Sequence, residues 1–411
     1  MTRMRPRVVV TGIGIVSPLG SSADSFWSAL LAGASGAQRI VVEGLPELTA
    51  FPVEGVDDAA RSRFGQREAR RMDRVSRLAA LAAASALEDA GAHGVSAERT
   101  GAVIGCVHGG AQTLHEGEQT LAARGPARVS PLTIPLGLTN APVAAVARTL
   151  DVRGPTAVTG TACAAGTDAI GAGLQLIRNG WADLVLAGGA EAPLTPLLVA
   201  GYRQLGALST TDRPSPEASR PFDAERDGFV IGEGAGILVL EERGHALARG
   251  ARIHAEVSGF ASTCDAGHLT DPDPAGTGAA RAIALALADA QLTPADVGYI
   301  NAHATSTPAG DRAEARALAA AGLAQTPVSA TKSAHGHALG AAGGIEAVVT
   351  VLALARQALP PTLNLECPDT DVVLAHVRTA RSADIDVAIS NSFGFGGHNA
   401  CLALRAHRTG G

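Results

Sequence analysis

Short apolar runs alternate with Ala-rich amphipathic stretches along the chain. VVVTGIGIVS, from Val8, reads as a buried strand entering a Gly-rich turn. MDRVSRLAALAAASALEDAG, from Met72, sets Ala and Leu at helical spacing and predicts a helix with Gly91 as its stop. TGAVIGCVHGG predicts a strand ending in glycines. GPTAVTGTACAAGTDAIGAGLQLIRNG predicts a strand, a tight turn and a long helix, and ADLVLAGGAEA a further buried strand. Strand–helix alternation of this kind predicts an α/β layered architecture.

The pattern also repeats. ALEDAGAHGVSAERTGAVIGCVHGG, from Ala86, resembles ALADAQLTPADVGYINAHATST, from Ala286. RVVVTGIGIVS, from Arg7, is echoed by RIHAEVSGFAS, from Arg252. A duplicated α/β unit with a shared core is expected, with halves at 1–249 and 250–411 divided after the charged EERGHALARG.

Composition narrows the classes. A chain of 411 residues, 46% hydrophobic, has ample material for a large core. Mean hydropathy is +0.17, and no uninterrupted apolar run is expected to cross a bilayer. The start is basic and then apolar, but Thr11, Gly12 and Gly14 break the run and no small-residue cleavage pattern follows, so a signal peptide is not expected. The five cysteines (Cys106, Cys163, Cys264, Cys367, Cys401) show no CxxC, which argues against a disulfide framework and a structural zinc site. A reducing, cytoplasmic location follows. A net charge of −6 argues against nucleic acid as a partner. Among 33 basic residues, Lys332 is the single lysine. A lysine kept against that bias suits a position needing a compact ammonium.

Three segments carry candidate chemistry. Cys163 lies between an apolar strand and a helix, flanked by Gly160, Ala162, Ala164, Ala165 and Gly166, small enough for a sharp nucleophile turn. A helix N-terminus there is expected to lower the thiol pKa and to offer N–H groups to an oxyanion. A small core residue is the competing reading of such a cysteine. His303 follows a buried strand at its C-terminal end, where ligand sites of α/β sheets gather. Lys332, His335 and His337 occupy a Gly-rich turn before an almost wholly apolar helix containing Glu346. A buried carboxylate needs a partner, and Lys332 is the expected one. A metal at His335-x-His337 is disfavoured, because no third ligand stands at helical spacing. In SNSFGFGGHNACLAL, Phe393 and Phe395 alternate with glycines that let backbone approach a ligand.

Taken in order, TGTACAAG, ADLVLAGGAEA, PFDAERDGFVIGEGAG, NAHATST, TKSAHGHALGAAGG and NSFGFGGHN resemble the β-ketoacyl-acyl-carrier-protein synthases, closest to the synthase II branch and the type II polyketide ketosynthases. The resemblance covers nearly the whole chain. It implies a thiolase fold, a duplicated five-layer αβαβα architecture. It implies decarboxylative condensation of an acyl thioester on Cys163 with malonyl on an acyl carrier protein, His303 and His337 driving decarboxylation, supported by Lys332 and Glu346. It implies an oxyanion hole from the N–H groups of Cys163 and Phe395, with Phe395 as a gate. Thr305, Thr307 and Thr270 are implied to bind the phosphopantetheine arm, and His108 and Phe229 to contact substrate. Asn301, Glu346, Ser390 and Asn391 match a structural monovalent-cation site of some members. No cofactor of the enzyme's own is implied. Ala304, Asp271 and His108 depart from the usual pattern, which bears on acyl-chain preference.

The carrier is acidic, so a basic dock is expected, and RSRFGQREARRMDRVSR supplies Arg67, Arg70, Arg71 and Arg74 beside Arg61 and Arg63. A solvated charged face is the plainer reading of such a run. A degradative thiolase would need a second catalytic cysteine, and Cys401 sits in an apolar strand pattern. The synthase III type has Asn where this chain has His337. A non-catalytic chain-length factor would lack Cys163. A homodimer, or a heterodimer with a chain-length-factor-like homologue, is expected.

Overall fold

The computed structural model describes residues 5–92 and 94–408; residues 1–4 of the basic start, His93 of the first repeat and the last three residues lie outside it. Ten of the eleven strands of the large sheet among the described residues carry the architecture. In the first half these are β1 (Val8–Val16), β2 (Thr100–Gly105), β3 (Thr156–Thr159), β4 (Leu184–Glu191) and β5 (Gly234–Glu242). In the second they are β6 (Ala255–Cys264), β7 (Tyr299–Asn301), β8 (Pro327–Ser329), β9 (Val387–Gly394) and β10 (His398–Ala406). Between them run α1 (Arg74–Asp89), α2 (Ala141–Leu150), α3 (Ala165–Arg178), α4 (Thr277–Asp289), α5 (Pro308–Ala320) and α6 (Ala342–Arg356).

Each half therefore follows the same sequence of elements, β-α-β-α-β-α-β-β. The spatial orders match as well: β3-β2-β4-β5-β1 in one half and β8-β7-β9-β10-β6 in the other. In both, the first three positions pair in parallel and the last three antiparallel. The sheets join through a short antiparallel pairing of Val8–Val10 with Ala255–Val257. The two long, buried helices α3 and α6 lie between the sheets, each touching strands of both. Helices α1 and α2 pack on the first sheet and α4 on the second, with α5 against α4, which completes the αβαβα layering.

The repeat read from Ala86 and Ala286 has a physical basis. A Cβ placed on Gly12 would lie 2.1 Å from the Ala86 carbonyl oxygen and 2.9 Å from Ala90 Cβ. On Gly259 it would meet Ala286 O at 2.3 Å and Ala290 Cβ at 2.8 Å. Strand and helix backbones touch in the same way in both halves. Asp89 accepts the Ile13 N–H at 2.9 Å, and Asp289 accepts that of Phe260 at 3.1 Å.

Residues 339–356 form the one helical stretch among the described residues long and apolar enough to span a membrane, although Glu346 and Arg356 keep it from being an uninterrupted apolar run. Of this stretch 89% is buried, and its apolarity is explained by the two sheets that enclose it. Its first turns press against α3: a Cβ on Gly166 would fall 2.6 Å from Gly344 N and 2.9 Å from Gly340 O. Gly166→Ala is expected to cost about 1–3 kcal/mol through overpacking against backbone that cannot rotate away. Thermal unfolding checks this, with a lowered midpoint as the expected result.

Candidate active site

Cys163 and His337 occupy corresponding strand-to-helix connections, after β3 and after β8. The close approach of α3 and α6 carries them toward each other. Cys163 lies in a single 3-10 turn, Ala162–Ala164, that runs directly into α3. Ala162 before it has φ +49°, a left-handed conformation that costs a non-glycine residue about 1–2 kcal/mol. His337 is fixed by backbone pairing with the GFVIGEG segment: its N–H donates to Val230 O at 2.9 Å, and its carbonyl accepts from Gly232 N at 3.0 Å. His303 leaves the C-terminal end of β7, and Glu314 on α5 accepts its backbone N–H at 2.9 Å and that of Ala304 at 2.7 Å.

The Cys163 sulfur and one ring nitrogen from each of His303 and His337 all lie within 4.8 Å of one another. His337 Nε2 stands 3.1 Å from Cys163 Sγ. The two imidazoles meet edge to face with centroids 5.5 Å apart. Phe229 packs edge-on against His337 at 5.1 Å, and Phe393 against His303 at 5.9 Å. Lys332 Nζ lies 3.3 Å from His303 Nδ1, donates to the His303 carbonyl at 2.5 Å, and forms a buried ion pair with Glu346. Three donor atoms of this kind can bind a metal ion, but the ammonium beside His303 opposes a second cation there.

Burial governs the titration of these groups. It drives His303 and His337 well below the ordinary imidazole range, and the Lys332 charge pushes the same way. Both rings are therefore neutral at physiological pH. Burial also raises the Cys163 thiol to about 11, against the opposing pull of Lys332 and of the Phe395 and Cys163 N–H groups directed at the sulfur. The expected lowering of the thiol pKa by the helix N-terminus is thus overturned, because the cost of desolvating a thiolate outweighs the donors around it. Gly394 permits the approach of the Phe395 loop; a Cβ there would sit 2.9 Å from Cys163 N.

A cavity of about 320 Å³ opens onto these groups. Thr270, Thr305, Thr307, Phe229 and Phe395 line it, and the Thr305 and Thr307 hydroxyls lie 3.0 Å apart. His108 does not line it, although a substrate contact was expected of it. Its ring is set behind Tyr202, whose hydroxyl lies 3.1 Å from His108 Nε2. The expected basic dock is reduced as well. Arg74 turns inward to Glu233 and donates to Val53 O at 2.6 Å, while Arg61 pairs with Asp58 and Arg63 with Glu88. Arg67, Arg70 and Arg71 remain exposed.

Residues 5–246 match the family described as "Beta-ketoacyl synthase, N-terminal domain", and residues 254–366 the corresponding C-terminal domain. The chain belongs to the β-ketoacyl synthase family. A relative from Synechocystis sp., named 3-oxoacyl-[acyl-carrier-protein] synthase 2, is 45% identical over 98% of this chain and 99% of its own. The solved structure titled "The ishigamide ketosynthase/chain length factor" superposes with a TM-score of 0.91 at 36% identity, covering 98% of this chain and 100% of that one. That of a type II polyketide acyl-carrier protein in complex with its ketosynthase bound to the hexaketide, AntDE:AntF, gives 0.89 at 34% identity, with 98% and 100% covered. The family's thiolase fold accounts for the duplicated sheets described above.

Sequence reasoning passed over Glu191 and assigned Glu314 no role; the single available signal for Glu314 is a carboxylate on the apolar side of α5. Lys332→Ala would leave the Glu346 carboxylate buried without its counter-charge and is expected to cost about 3–5 kcal/mol. Burial already raises the Glu346 carboxyl, and losing Lys332 raises it further. The folded variant then holds its proton more tightly than the unfolded chain, so its deficit against wild type should grow as pH rises. Denaturant unfolding at pH 5 and pH 8 measures this, the smaller deficit being expected at pH 5.

Proposed function

We propose that this chain is a β-ketoacyl-[acyl-carrier-protein] synthase that condenses an acyl group held on Cys163 with malonyl carried by an acyl carrier protein. The observation that carries the reading is the meeting of one sulfur and two neutral imidazoles at the foot of a single cavity. In the first step the sulfur attacks the acyl thioester while His337 Nε2 takes the thiol proton. The tetrahedral oxyanion lies between the Cys163 and Phe395 N–H groups, and collapse expels the carrier's pantetheine thiol, which leaves with that proton. In the second step the malonyl carboxylate departs as CO₂. The enolate oxygen left behind accepts N–H bonds from His303 and, once its proton has moved from Nδ1 to Nε2, from His337, both of which burial keeps neutral. In the third, the enolate carbon forms a bond to the acyl carbon, the C–S bond to Cys163 breaks, the released thiolate takes a proton from solvent, and the β-ketoacyl product leaves on its carrier.

Lys332 and Glu346 support this arrangement by holding the His303 backbone. Thr270, Thr305 and Thr307 offer hydroxyls to the pantetheine arm along the cavity wall. A monovalent cation fits Asn301, Glu346, Ser390 and Asn391. Asn301 Oδ1, Glu346 Oε2, Ser390 Oγ and Asn391 Oδ1 are buried oxygens without a hydrogen-bond partner in the protein, a costly state that a hard cation relieves. Five free cysteines agree with a reducing, cytoplasmic setting, and the boundary between halves is read near residue 250.

The working unit in this reading is a dimer. Strand β3 is the sheet's edge, with Thr156 and Ala157 exposed, and Leu132, Ile134 and Leu138 are also exposed. Such an edge calls for a partner. Likeness to a ketosynthase paired with a chain length factor makes a heterodimeric polyketide enzyme the second reading.

Cys163→Ala should abolish condensation while sparing part of the malonyl decarboxylation. His337→Ala should slow decarboxylation by about 10²–10³, the usual effect of losing one oxyanion donor. Intact-protein mass after incubation with acyl carriers, together with CO₂ release, reads both effects. Arg70→Glu combined with Arg71→Glu should raise the KM for carrier steeply at low salt and less at high salt, because exposed charges are screened. Steady-state kinetics at two ionic strengths provide the check, and an unchanged KM would remove these arginines from the dock.

A further inference from the structure

Glu191, at the end of β4, is fully buried, and no arginine, lysine or histidine pairs with it among the described residues. Its carboxylate instead accepts three backbone N–H groups: Val107 at 2.9 Å, His108 at 3.2 Å and Gly340 at 3.2 Å. The Cys106 thiol points at it from 3.8 Å. These donors come from two separate walls: Val107 lines the cavity beside Cys163, and Gly340 directly follows Leu339, which lines it as well. The fit is close: a Cβ on Gly340 would lie 2.5 Å from Glu191 Oε2.

We propose that Glu191 is a positioning residue for the chemistry at Cys163, its accepted N–H bonds tying the Val107 and Leu339 walls together behind the nucleophile. The proposal rests on Cys163 being the acyl acceptor. The titratable groups facing this region are Cys106 beyond β2, Tyr202, Cys163, and His337 and Lys332 from the other half. Burial raises the Glu191 carboxyl to about 7, with the three N–H groups opposing, and its charge in turn raises the Cys163 thiol.

Two variants of the full chain test the tie. Glu191→Asp withdraws the carboxylate from the walls, and Glu191→Gln keeps the side-chain length but replaces one acceptor oxygen with an amide donor. Peptide-mapped iodoacetamide modification of Cys163 across pH 6–10 reports on the sulfur itself. Glu191→Asp should keep the wild-type alkylation profile yet lose several-fold in kcat/KM for Cys163 acylation by an acyl carrier. Unchanged acylation in that variant would overturn the tie; if it fails to fold, Glu191→Gln is expected to show the same loss, and wild-type acylation there would overturn it equally. Wild-type protein that takes no acyl group on Cys163 would instead defeat the parent reading, a result the alkylation profiles do not depend on.

Discussion

The contact between α3 and α6 decides whether this molecule has a site at all. Cys163 belongs to one half and His303, Lys332 and His337 to the other, so their meeting depends on how closely the central helices approach. Gly166 and Gly343 let the two backbones touch, and the connections leading into those helices are brought face to face as a result. Two copies of one layered unit, back to back, thus yield a pocket that neither copy contains alone. The duplication explains the location of the site, and its differences between the halves explain the chemistry: cysteine in one connection, lysine and histidine in the other.

Once formed, the pocket is governed by desolvation more than by any single partner. Burial suppresses charge on both imidazoles and on the thiol. The one cation inside, Lys332, is retained because Glu346 neutralises it. Neutral histidines are what an enolate oxygen needs as donors, since an imidazolium would favour protonating the carbanion over letting it attack carbon. The same desolvation makes the thiol a poor nucleophile until a base is in reach; His337 Nε2 stands 3.1 Å away, which is the position the proposed reaction asks of one.

Much of this was legible in the chain. The apolar runs with glycine stops located strands and helices, and the Ala86 and Ala286 repeat anticipated the matched Gly12 and Gly259 contacts. Glu346 announced a partner because a carboxylate inside an apolar helix cannot stand alone, and the structure pairs it with Lys332. What resisted reading depended on distances between segments far apart in sequence. Arg74 looked like its arginine neighbours until Glu233, 159 positions on, was found beneath it. The direction of the Cys163 shift turned on the balance between burial and nearby donors, which no local pattern encodes. Glu191 and Glu314 were hidden for the same reason: most of their partners are backbone amides, and every residue except proline carries one.

The sole lysine has a consequence beyond the ion pair. Thioesters acylate amines without enzymatic help, and a protein that handles them all its working life is exposed to that side reaction. Here the only side-chain amine is sealed in the core at 1% exposure, and the outer surface carries its positive charge on guanidinium groups, which stay protonated and do not attack acyl carbon. The surface can attract an acidic partner and still offer that partner's cargo no lysine to modify.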